Sequence, residues 1–216
     1  MEFQSDLQWT HLHVSTPFEY KLKEREPNWK KPRGVEQRNL ALLHLRNQIL
    51  PSEGVVYFMD DDNTYDVRIF EQMRQTRKVS VWPVGLVGGL LIEQPIVDQK
   101  ANRVVGFNSR WKSQRKYPID MAAFAVNLSV IRAFPNASFS NHLRVGYQET
   151  HFLDAILTGP EELEPKASGC SEVLVWHTRT LKFKPMFDQS KSRTQKSLLS
   201  WLQTFSSWYK LLFVHK

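Results

Sequence analysis

The feature that most constrains this chain is an apolar run that stops in three consecutive carboxylates, Asp60-Asp61-Asp62. The run, residues 55–59, follows Gly54 and is rich in β-branched and aromatic residues, which is typical of a buried strand. Asp and Asn favour turns, so we expect the strand to end at the acids. In open α/β sheets, ligands bind beyond the carboxyl ends of the strands. The sequence therefore predicts a ligand site at this turn.

Spacing alone leaves two interpretations of the acidic turn open. Three adjacent carboxylates repel one another unless a cation or hydrogen-bond donors compensate. Hard divalent cations such as Mg2+ or Mn2+ take oxygen ligands of this kind, usually together with substrate phosphates. Acidic turns are also common on protein surfaces, where water solvates them. The triplet is thus either a metal-assisted phosphate site or a solvated turn.

Composition indicates one globular domain and argues against a nucleic-acid binder. The chain has 216 residues, of which 41% are hydrophobic, so it can bury one sizeable core. Its net charge of +7 is confined to one end of the chain. Residues 1–178 carry 21 Lys+Arg and 21 Asp+Glu, whereas residues 179–216 carry eight basic residues and one acid. No zinc-finger, RNP or helix-turn-helix signature is present.

Cysteine and glycosylation patterns say little about the compartment. The single cysteine, Cys170, cannot form an internal disulfide, and we expect it to be a small buried hydrophobe. Asn127-Leu128-Ser129 and Asn136-Ala137-Ser138 match the N-glycosylation acceptor pattern, which permits a secretory route but is frequent by chance. The amino terminus has neither the basic nor the apolar region of a signal peptide, so neither a signal nor a membrane anchor is visible there.

Strand and helix patterns alternate along the chain and predict an α/β fold with a mixed sheet. A loose alternation before Pro17 predicts a first strand over residues 9–16, followed by an exposed, charged loop. The expected helices cover residues 35–50, 67–78, 128–134 and 149–157. The expected later strands cover residues 55–59, 79–84, 90–97, 104–107, 121–126 and 173–176, with a hairpin between 90–97 and 104–107.

Cationic residues near the ends of two elements are candidates for anion binding. Arg33 and Arg38 straddle the first turn of the helix beginning at Val35, where they suit one anion; two solvated surface arginines are the alternative. His177 and Arg179 follow the last strand. Side chains alternate along an extended segment, so both point the same way, which suits a diphosphate; a structural histidine is the alternative.

Two further groups of residues suit a sugar or a helix end. Trp111, Arg115 and Asp120 share a polar loop, where an aromatic plane beside charged donors and acceptors suits a sugar. A loop tryptophan also commonly serves local packing. Glu149 lies in the first turn of a helix, where the helix dipole stabilises a carboxylate and the side chain can simply cap the helix.

Five sequence blocks, in order, resemble the β-1,3-glucuronosyltransferases of glycosyltransferase family 43. They are Asp60-Asp61-Asp62-Asn63-Thr64-Tyr65, Val79-Ser80-Val81-Trp82-Pro83-Val84, Ile119-Asp120-Met121-Ala122, Gly146-Tyr147-Gln148-Glu149 and Val175-Trp176-His177-Thr178-Arg179-Thr180. Residues 34–39 and 84–90 are most similar to the branch that completes the glycosaminoglycan–protein linkage tetrasaccharide.

The resemblance implies a GT-A type nucleotide-sugar transferase fold and a Golgi type II membrane enzyme. The implied reaction is the Mn2+-dependent, inverting transfer of glucuronic acid from UDP-glucuronate to the 3-hydroxyl of a terminal galactose. Glu149 matches the family's general base and Asp62 its metal ligand. The implied donor contacts are Arg33, Arg38, Asp60, Asp61, His177 and Arg179, and the implied acceptor contacts are Glu93, Trp111, Arg115 and Asp120.

Two departures from the family pattern divide the chain into a partial catalytic domain, residues 1–182, and a divergent tail, residues 183–216. The family's first strand-helix units, with its uridine contacts, lie upstream of the segment that matches Trp9. The family's dimer-forming segment has no match in the tail. Apolar residues recur in the tail at helical spacing, which suits a membrane surface, a partner protein or the chain's own domain.

Three functions are therefore expected as alternatives. The first is glucuronyl transfer in the glycosaminoglycan–protein linkage region, for which the family pattern also implies a homodimer. The second is a catalytically impaired form that binds a partner through its tail. The third is glucuronyl transfer to N-acetyllactosamine on glycoproteins.

Overall fold

The computed structural model describes residues 10–27, 30–48 and 53–178 and gives them a mixed α/β architecture. Arg179 and the tail, residues 183–216, lie outside the described residues. No helix of the described ranges is both long and apolar enough to cross a membrane. The mixed α/β class predicted from the alternating patterns is confirmed.

The described part of the chain contains nine short strands. They are β1 (Val55–Tyr57), β2 (Thr64–Tyr65), β3 (Val79–Val81), β4 (Val84–Gly85), β5 (Ile92–Asp98), β6 (Arg103–Asn108), β7 (Phe124–Asn127), β8 (Glu164–Pro165) and β9 (Val175–Trp176). One sheet has the order β1-β7-β3-β8, and the other has the order β2-β9-β4-β5-β6. The pairs β3–β8 and β4–β9 are parallel and the remaining pairs are antiparallel, so both sheets are mixed.

Four right-handed helices pack around these sheets within the described ranges. They are α1 (Val35–Asn47), α2 (Arg68–Arg74), α3 (Leu128–Ala133) and α4 (Gln148–Asp154). Short 3-10 segments occur at Phe18–Tyr20, Met121–Ala123 and Pro160–Glu162. Residues Ala167–Cys170 form a left-handed turn, with φ between +52° and +65°. All four expected helices are present, each shorter than its sequence pattern predicted.

Aromatic rings fill the core between the first sheet and the helices. Phe152 of α4 stacks on Phe139 with ring centroids 4.8 Å apart and meets the edge of Phe58 at 5.6 Å. Trp82, Tyr117 and Phe124 are completely buried. Such ring pairs add about 0.5–1.5 kcal/mol each beyond the burial of their area. Cys170 is buried as expected, and burial raises the pKa of its thiol to about 12.

Four strand predictions need correction, and the first three concern single segments. Residues 10–16 contain no strand, because local alternation alone provides no neighbour to pair with. The residues of β1 are half-buried, and β1 pairs on one side only, with β7, among the described residues, so it is not a buried central strand. The first three residues of the expected strand 121–126 form a 3-10 turn, because the Asp120 carboxylate accepts a hydrogen bond from the Ala122 amide.

The segment expected as one strand over residues 79–84 is split between the two sheets. β3 belongs to the first sheet and β4 to the second, with Trp82 and Pro83 between them. Pro83 lacks the N–H that a continuing ladder needs. Trp82 is completely buried, and its indole Nε1 donates to the Ala122 carbonyl at 2.8 Å. This switch brings the ends of both sheets to the same region as the acidic turn.

Candidate active site

The acidic turn connects β1 of the first sheet to β2 of the second. The Tyr65 hydroxyl donates to the Asp60 carbonyl at 2.8 Å, and the Thr178 hydroxyl donates to the Asp62 carbonyl at 2.7 Å. Thr178 also lies 3.0 Å from the Thr64 hydroxyl, Oγ1 to Oγ1. The residues after β9 therefore pin the turn, which places Asp62 beside the segment that carries His177.

Arg38 joins helix α1 to the acidic turn. Its Nη2 lies 3.0 Å from Asp60 Oδ1, and its Nη1 donates to the Arg33 carbonyl at 2.8 Å. Burial raises the pKa of the Asp60 carboxyl, and the charge of Arg38 opposes that rise. Arg33 contributes its backbone carbonyl to this contact and is itself exposed. The structure thus brings only one of the two expected arginine side chains to the turn.

Asp120 occupies the centre of the charged groups. Its Oδ2 lies 3.4 Å from His177 Nδ1, while its Oδ1 accepts from the Ala122 amide at 3.0 Å. Burial works against ionisation of Asp120, but the neighbouring His177 imidazole, the Ala122 amide and the charge of Arg115 hold its pKa below the usual value. Asp120 is consequently a carboxylate at neutral pH, paired with the histidine that follows β9.

Glu149, in the first turn of α4, pairs with Arg115. Glu149 Oε2 and Arg115 Nη1 are 3.4 Å apart. The same guanidinium donates to the Gly146 carbonyl at 2.6 Å and to the Trp111 carbonyl at 3.1 Å, so it is held firmly in place. Burial, reinforced by the charge of Asp120, raises the pKa of Glu149 to about 7 despite the cation beside it. A carboxyl of this pKa can gain or lose a proton at neutral pH.

Glu93 and Trp111 face each other across Gly88. Glu93 on β5 is only 5% exposed, accepts a hydrogen bond from the Ser109 hydroxyl, and has a pKa that burial raises to about 7. A Cβ on Gly88 would lie 3.2 Å from Glu93 Oε2 and 3.6 Å from Trp111 Cβ. The Trp111 side chain is 43% exposed. A carboxyl group and an accessible aromatic surface therefore adjoin the same glycine.

Ion pairs and charge interactions connect these groups, which are called the charged cluster below. Asp120 raises the pKa of Asp60 on one side and of Glu93 and Glu149 on the other. Asp62 and His177 also act on Asp60. The structure therefore brings together most of the residues singled out in the sequence, namely Arg38, Asp60, Asp62, Glu93, Trp111, Arg115, Asp120, Glu149 and His177.

Three of the candidate residues are not brought into this cluster. Arg33 and Asp61 are exposed, and Arg179 lies outside the described residues. The pairing of residues 177 and 179 on a single anion, expected from strand alternation, stays a prediction. Asp61 lies on the acidic turn between two residues that do belong to the cluster.

The acidic turn does not provide a complete metal site by itself. In the described part of the chain, no group of three or more His, Cys, Asp or Glu side chains is arranged to hold a metal ion. Both amide atoms of the neighbouring Asn63 are buried, with no well-formed hydrogen bond to a described residue, and Asp62 is exposed. Mg2+-like ions are commonly held by one or two carboxylates together with substrate phosphates and water. A cation at this turn would therefore need further ligands from a bound phosphate or water.

Several residues that shape the site were missed in the sequence. Ser109 hydrogen-bonds Glu93, and Thr64 and Thr178 fix the acidic turn. Thr178 stands between His177 and Arg179, and its position between two candidate residues could have indicated a role in the site. Nothing distinguishes Ser109 from other loop serines. Gly146, at φ +81°, carries the carbonyl that Arg115 binds, and only its glycine identity hints at that role.

The arrangement is suited to moving a proton and to stabilising an anion within one region of the fold. Glu149 and Glu93 titrate near neutrality on one side. On the other side, the exposed Asp62 and the Asp120-paired His177 lie beside the acidic turn. A general base needs a pKa near the working pH, and a departing anion needs preorganised positive charge or donors. Both requirements have candidate groups here.

The chain is similar to a known protein family over most of its length. Residues 3–181 match the family model described as glycosyltransferase family 43. Among similar proteins, galactosylgalactosylxylosylprotein 3-beta-glucuronosyltransferase I of Drosophila melanogaster is 49% identical over 178 residues, which are 81% of this chain and 58% of the relative.

Two further relatives carry the same type of name. The sqv-8 protein of Caenorhabditis elegans is 48% identical over 189 residues, covering 87% of this chain and 53% of the relative. The 3-beta-glucuronosyltransferase 2 of Mus musculus is 53% identical over 177 residues, covering 80% of this chain and 52% of the relative. The chain thus spans a little over half the length of these relatives. Because the family model matches most of its residues, the chain belongs to glycosyltransferase family 43.

Proposed function

We propose that this chain transfers glucuronic acid, with inversion, from UDP-glucuronate to the 3-hydroxyl of a terminal galactose in the glycosaminoglycan–protein linkage region. The observation that carries the proposal is the arrangement of the charged groups, in which Asp120 pairs with His177 beside the acidic turn and Arg115 pairs with Glu149. The names of the relatives support the substrates, since each is a galactosylgalactosylxylosylprotein 3-beta-glucuronosyltransferase. The mixed α/β architecture agrees with a GT-A type fold.

The donor side of the proposed site is the acidic turn. Arg38 fixes Asp60 at the end of β1, and Thr178 holds the Asp62 carbonyl beside β9. His177, oriented by Asp120, presents a donor or a cation toward the diphosphate of UDP. Arg33, Asp61 and Arg179 are proposed to contribute further donor contacts. Asp62 would hold Mn2+ with oxygens of the diphosphate, and the metal would neutralise charge that develops on the departing UDP.

The acceptor side is formed by residues around Gly88 and the start of α4. Trp111, which is 43% exposed, offers an aromatic surface for the apolar face of a sugar, and Glu93 offers a carboxyl oxygen to its hydroxyls. Arg115 orders this region by binding two backbone carbonyls and pairing with Glu149. The family pattern implies an acceptor contact for Asp120, and its pairing with His177 supports a second role between the two halves of the proposed site.

Glu149 is the proposed general base. It would take the proton from the acceptor 3-hydroxyl as that oxygen attacks the anomeric carbon of glucuronate. In an inverting displacement the base and the leaving diphosphate lie on opposite sides of that carbon. The pKa of about 7 allows Glu149 to be ionised before the reaction and to hold the proton afterwards.

The test combines one substitution with one binding measurement. Glu149→Gln should lower kcat by about 100-fold or more while UDP affinity changes by less than about twofold. Glu71→Gln, at an exposed position of α2, is the matched control and should leave both quantities unchanged. Undiminished transfer by Glu149→Gln would remove Glu149 from the proposal.

Calorimetry with UDP separates an active transferase from an impaired form. Binding that needs Mn2+ supports both the donor site and the role of Asp62. If UDP fails to bind both with and without Mn2+, the transferase proposal is wrong for this chain and a partner-binding role is favoured. A Golgi location, a homodimer and contact of the tail with a membrane surface are further proposals that rest on the family pattern.

A further inference from the structure

The two sequences that match the N-glycosylation pattern lie at opposite ends of α3. Asn127 ends β7 and is the residue before the helix, whereas Asn136 follows the helix by three residues. Sequence alone gives them the same standing, because both satisfy Asn-X-Ser with X other than proline. Their surroundings in the folded chain differ sharply.

Both polar atoms of the Asn127 side-chain amide are engaged in hydrogen bonds. Its Nδ2 donates to the Thr76 carbonyl at 2.9 Å. Its Oδ1 accepts from the Ser129 amide at 2.9 Å and from the Ser129 hydroxyl at 2.7 Å, which caps α3. The Asn127 backbone also pairs with β1 and bonds the Lys78 carbonyl. A bulky sugar on Nδ2 would break the link to Thr76 and disturb the end of the strand.

Asn136 lies on an exposed turn. The Ala137 amide donates to the Phe134 carbonyl at 3.0 Å, which closes a four-residue turn with Pro135 and Asn136 at its two central positions. Arg46 fixes this turn from α1, because its Nη2 donates to the carbonyls of Phe134 and Ala137 at 3.2 and 2.6 Å. The turn is therefore held rigidly while Asn136 itself remains exposed.

An apolar surface adjoins the same turn. Phe134 is 37% exposed, and it stands two residues before Asn136. The face of an aromatic ring is a favourable surface for the C–H face of a sugar, and covering an exposed phenyl group removes apolar area from water. A glycan on Asn136 would have such a surface within reach.

We propose that Asn136 is an N-glycosylation site and that the first sugar of its glycan packs on Phe134. In the reaction, Asn136 Nδ2 forms a bond to C1 of N-acetylglucosamine. The C1–oxygen bond to the lipid-linked diphosphate breaks, the lipid diphosphate departs, and the amide gives up one proton. The required donor is a lipid-linked oligosaccharide, so the inference rests on the secretory location that accompanies the proposed function.

The glycan would lie away from the charged cluster. Arg46, which holds the turn, comes eight residues after Arg38 on α1 and is therefore about 12 Å further along the helix axis. Arg38 marks the end of α1 that contacts the acidic turn. Transferase activity is expected to be independent of the glycan.

The experiment expresses the full chain behind a cleavable signal peptide in cultured animal cells. An additional acceptor tripeptide on a flexible linker after Lys216 reports whether the chain has entered the secretory route. Peptide mapping by mass spectrometry, with and without peptide N-glycosidase F, locates each glycan. The chain should carry a glycan at Asn136 and none at Asn127.

Matched variants sharpen the result. Asn136→Gln and Ser138→Ala should remove the glycan, and Asn127→Gln should leave it in place. If the first sugar packs on Phe134, the glycosylated chain should have a higher Tm than the enzymatically deglycosylated chain. Phe134→Ala should abolish this Tm difference or lower the fraction of chains that are glycosylated. A chain whose added tripeptide is glycosylated while Asn136 is bare, or whose glycan is on Asn127, would overturn the proposal.

The glycosylation result can be distinguished from the result for transferase activity. The same mapping can be done on Glu149→Gln, since glycan attachment depends on the turn and not on turnover. A glycosylated but inactive chain would contradict the transferase proposal alone. An active chain that enters the secretory route without a glycan on Asn136 would contradict the present inference alone.

Discussion

Asp120 connects the two halves of the proposed site through contacts of very different sequence separation. Its Oδ1 caps the 3-10 turn two residues away, while its Oδ2 reaches the His177 ring 57 residues later. Its charge raises the pKa values of Asp60, Glu93 and Glu149. A residue with this position is expected to orient others rather than only to contact the acceptor.

Asp120→Asn should therefore affect catalysis more than acceptor binding. Asparagine preserves the shape and one accepting oxygen but removes the negative charge that attracts the His177 imidazole. We expect kcat to fall by about tenfold or more, with a smaller change in the KM of the galactose acceptor. Steady-state kinetics with each substrate varied in turn measures the two effects.

Asp154→Asn is the control for that substitution. Asp154 is a half-exposed carboxylate at the end of α4 that pairs with Lys116. Its loss should change kcat by less than about twofold, because exposed ion pairs contribute little. If Asp120→Asn raises only the acceptor KM, Asp120 is an acceptor contact, as the family pattern implied.

The ionisation of Glu149 leads to a prediction for the pH dependence of transfer. Burial raises its pKa to about 7, and a general base acts only when ionised. We therefore expect kcat/KM to rise with pH up to about 7 and then to level off. Each pH unit below 7 should cost about a factor of ten, as for a single ionisation.

The titration of Glu93 must be distinguished from that of Glu149, because burial raises the pKa of Glu93 to about 7 as well. The Glu93→Gln variant should retain the rise of kcat/KM with pH. Because Glu93 is a proposed acceptor contact, this variant is assayed at a higher acceptor concentration. Disappearance of the rise in this variant would assign the observed titration to Glu93 instead of Glu149.

At the scale of elements, two loops build the proposed acceptor side. The loop between β6 and the 3-10 turn carries Trp111 and Arg115, and the loop before α4 carries Gly146. They are joined where the Arg115 guanidinium donates to the Gly146 carbonyl and where the Trp111 indole lies against Gly146. The glycine permits that contact, because a Cβ would lie 2.5 Å from the indole Nε1 and its φ is +81°.

Gly146→Ala should disturb this junction. The added methyl group collides with the indole and the alanine must adopt a left-handed conformation, so we expect destabilisation by about 1–3 kcal/mol. Displacement of Trp111 should raise the acceptor KM by more than the UDP-glucuronate KM. Thermal unfolding and steady-state kinetics measure the two effects.

Gly106→Ala, in β6, is the matched control. Gly106 does not have a positive φ, and the closest contact of an added Cβ would be Ile96 Cδ1 at an ordinary 3.7 Å. Its stability should change by less than about 0.5 kcal/mol. Equal effects of the two substitutions would show that the tight Trp111 contact is not important for the acceptor side.

Local patterns predicted the elements better than they predicted their partners. The apolar stripe of α2 is contained in a few consecutive residues. Asp and Asn favour turns because their side chains hydrogen-bond the backbone nearby. The helix and the acidic turn were therefore both evident in the sequence. The expected strand over residues 10–16 was wrong because pairing requires a neighbour that alternation does not supply. The Thr178 hydrogen bond to Asp62 spans 116 residues, and only the tertiary fold determines such a contact.

At the scale of the whole molecule, the site arises where the two sheets adjoin. Trp82 and Pro83 pass the chain from one sheet to the other, and the acidic turn does the same between β1 and β2. Family resemblance pointed to the charged residues that gather there but not to Ser109 or Thr64, whereas residue spacing alone left the acidic turn open to two interpretations. The central position of Asp120 required the fold, because it depends on the packing of β9 beside β4.

The charge distribution of the whole chain leads to a prediction about its end. Residues 183–216 carry six of the 29 Lys+Arg and one of the 22 Asp+Glu, so removing them changes the net charge from +7 to +2. The family model matches only as far as residue 181. A chain ending at Lys182 should therefore keep its UDP affinity within about twofold and its Tm within about 4 °C, as for a stability change near 1 kcal/mol.

The same truncation tests the tail as a membrane-surface segment. Basic residues near an anionic bilayer contribute about 1 kcal/mol each, so the full chain should co-sediment with phosphatidylserine-containing vesicles at low salt and release as salt increases. The truncated chain should not co-sediment, and neither chain should bind vesicles of neutral lipid. Equal sedimentation of the two chains would locate the membrane contact in residues 1–182. Loss of UDP binding on truncation would instead make the tail part of the catalytic domain, contrary to the division at residue 182.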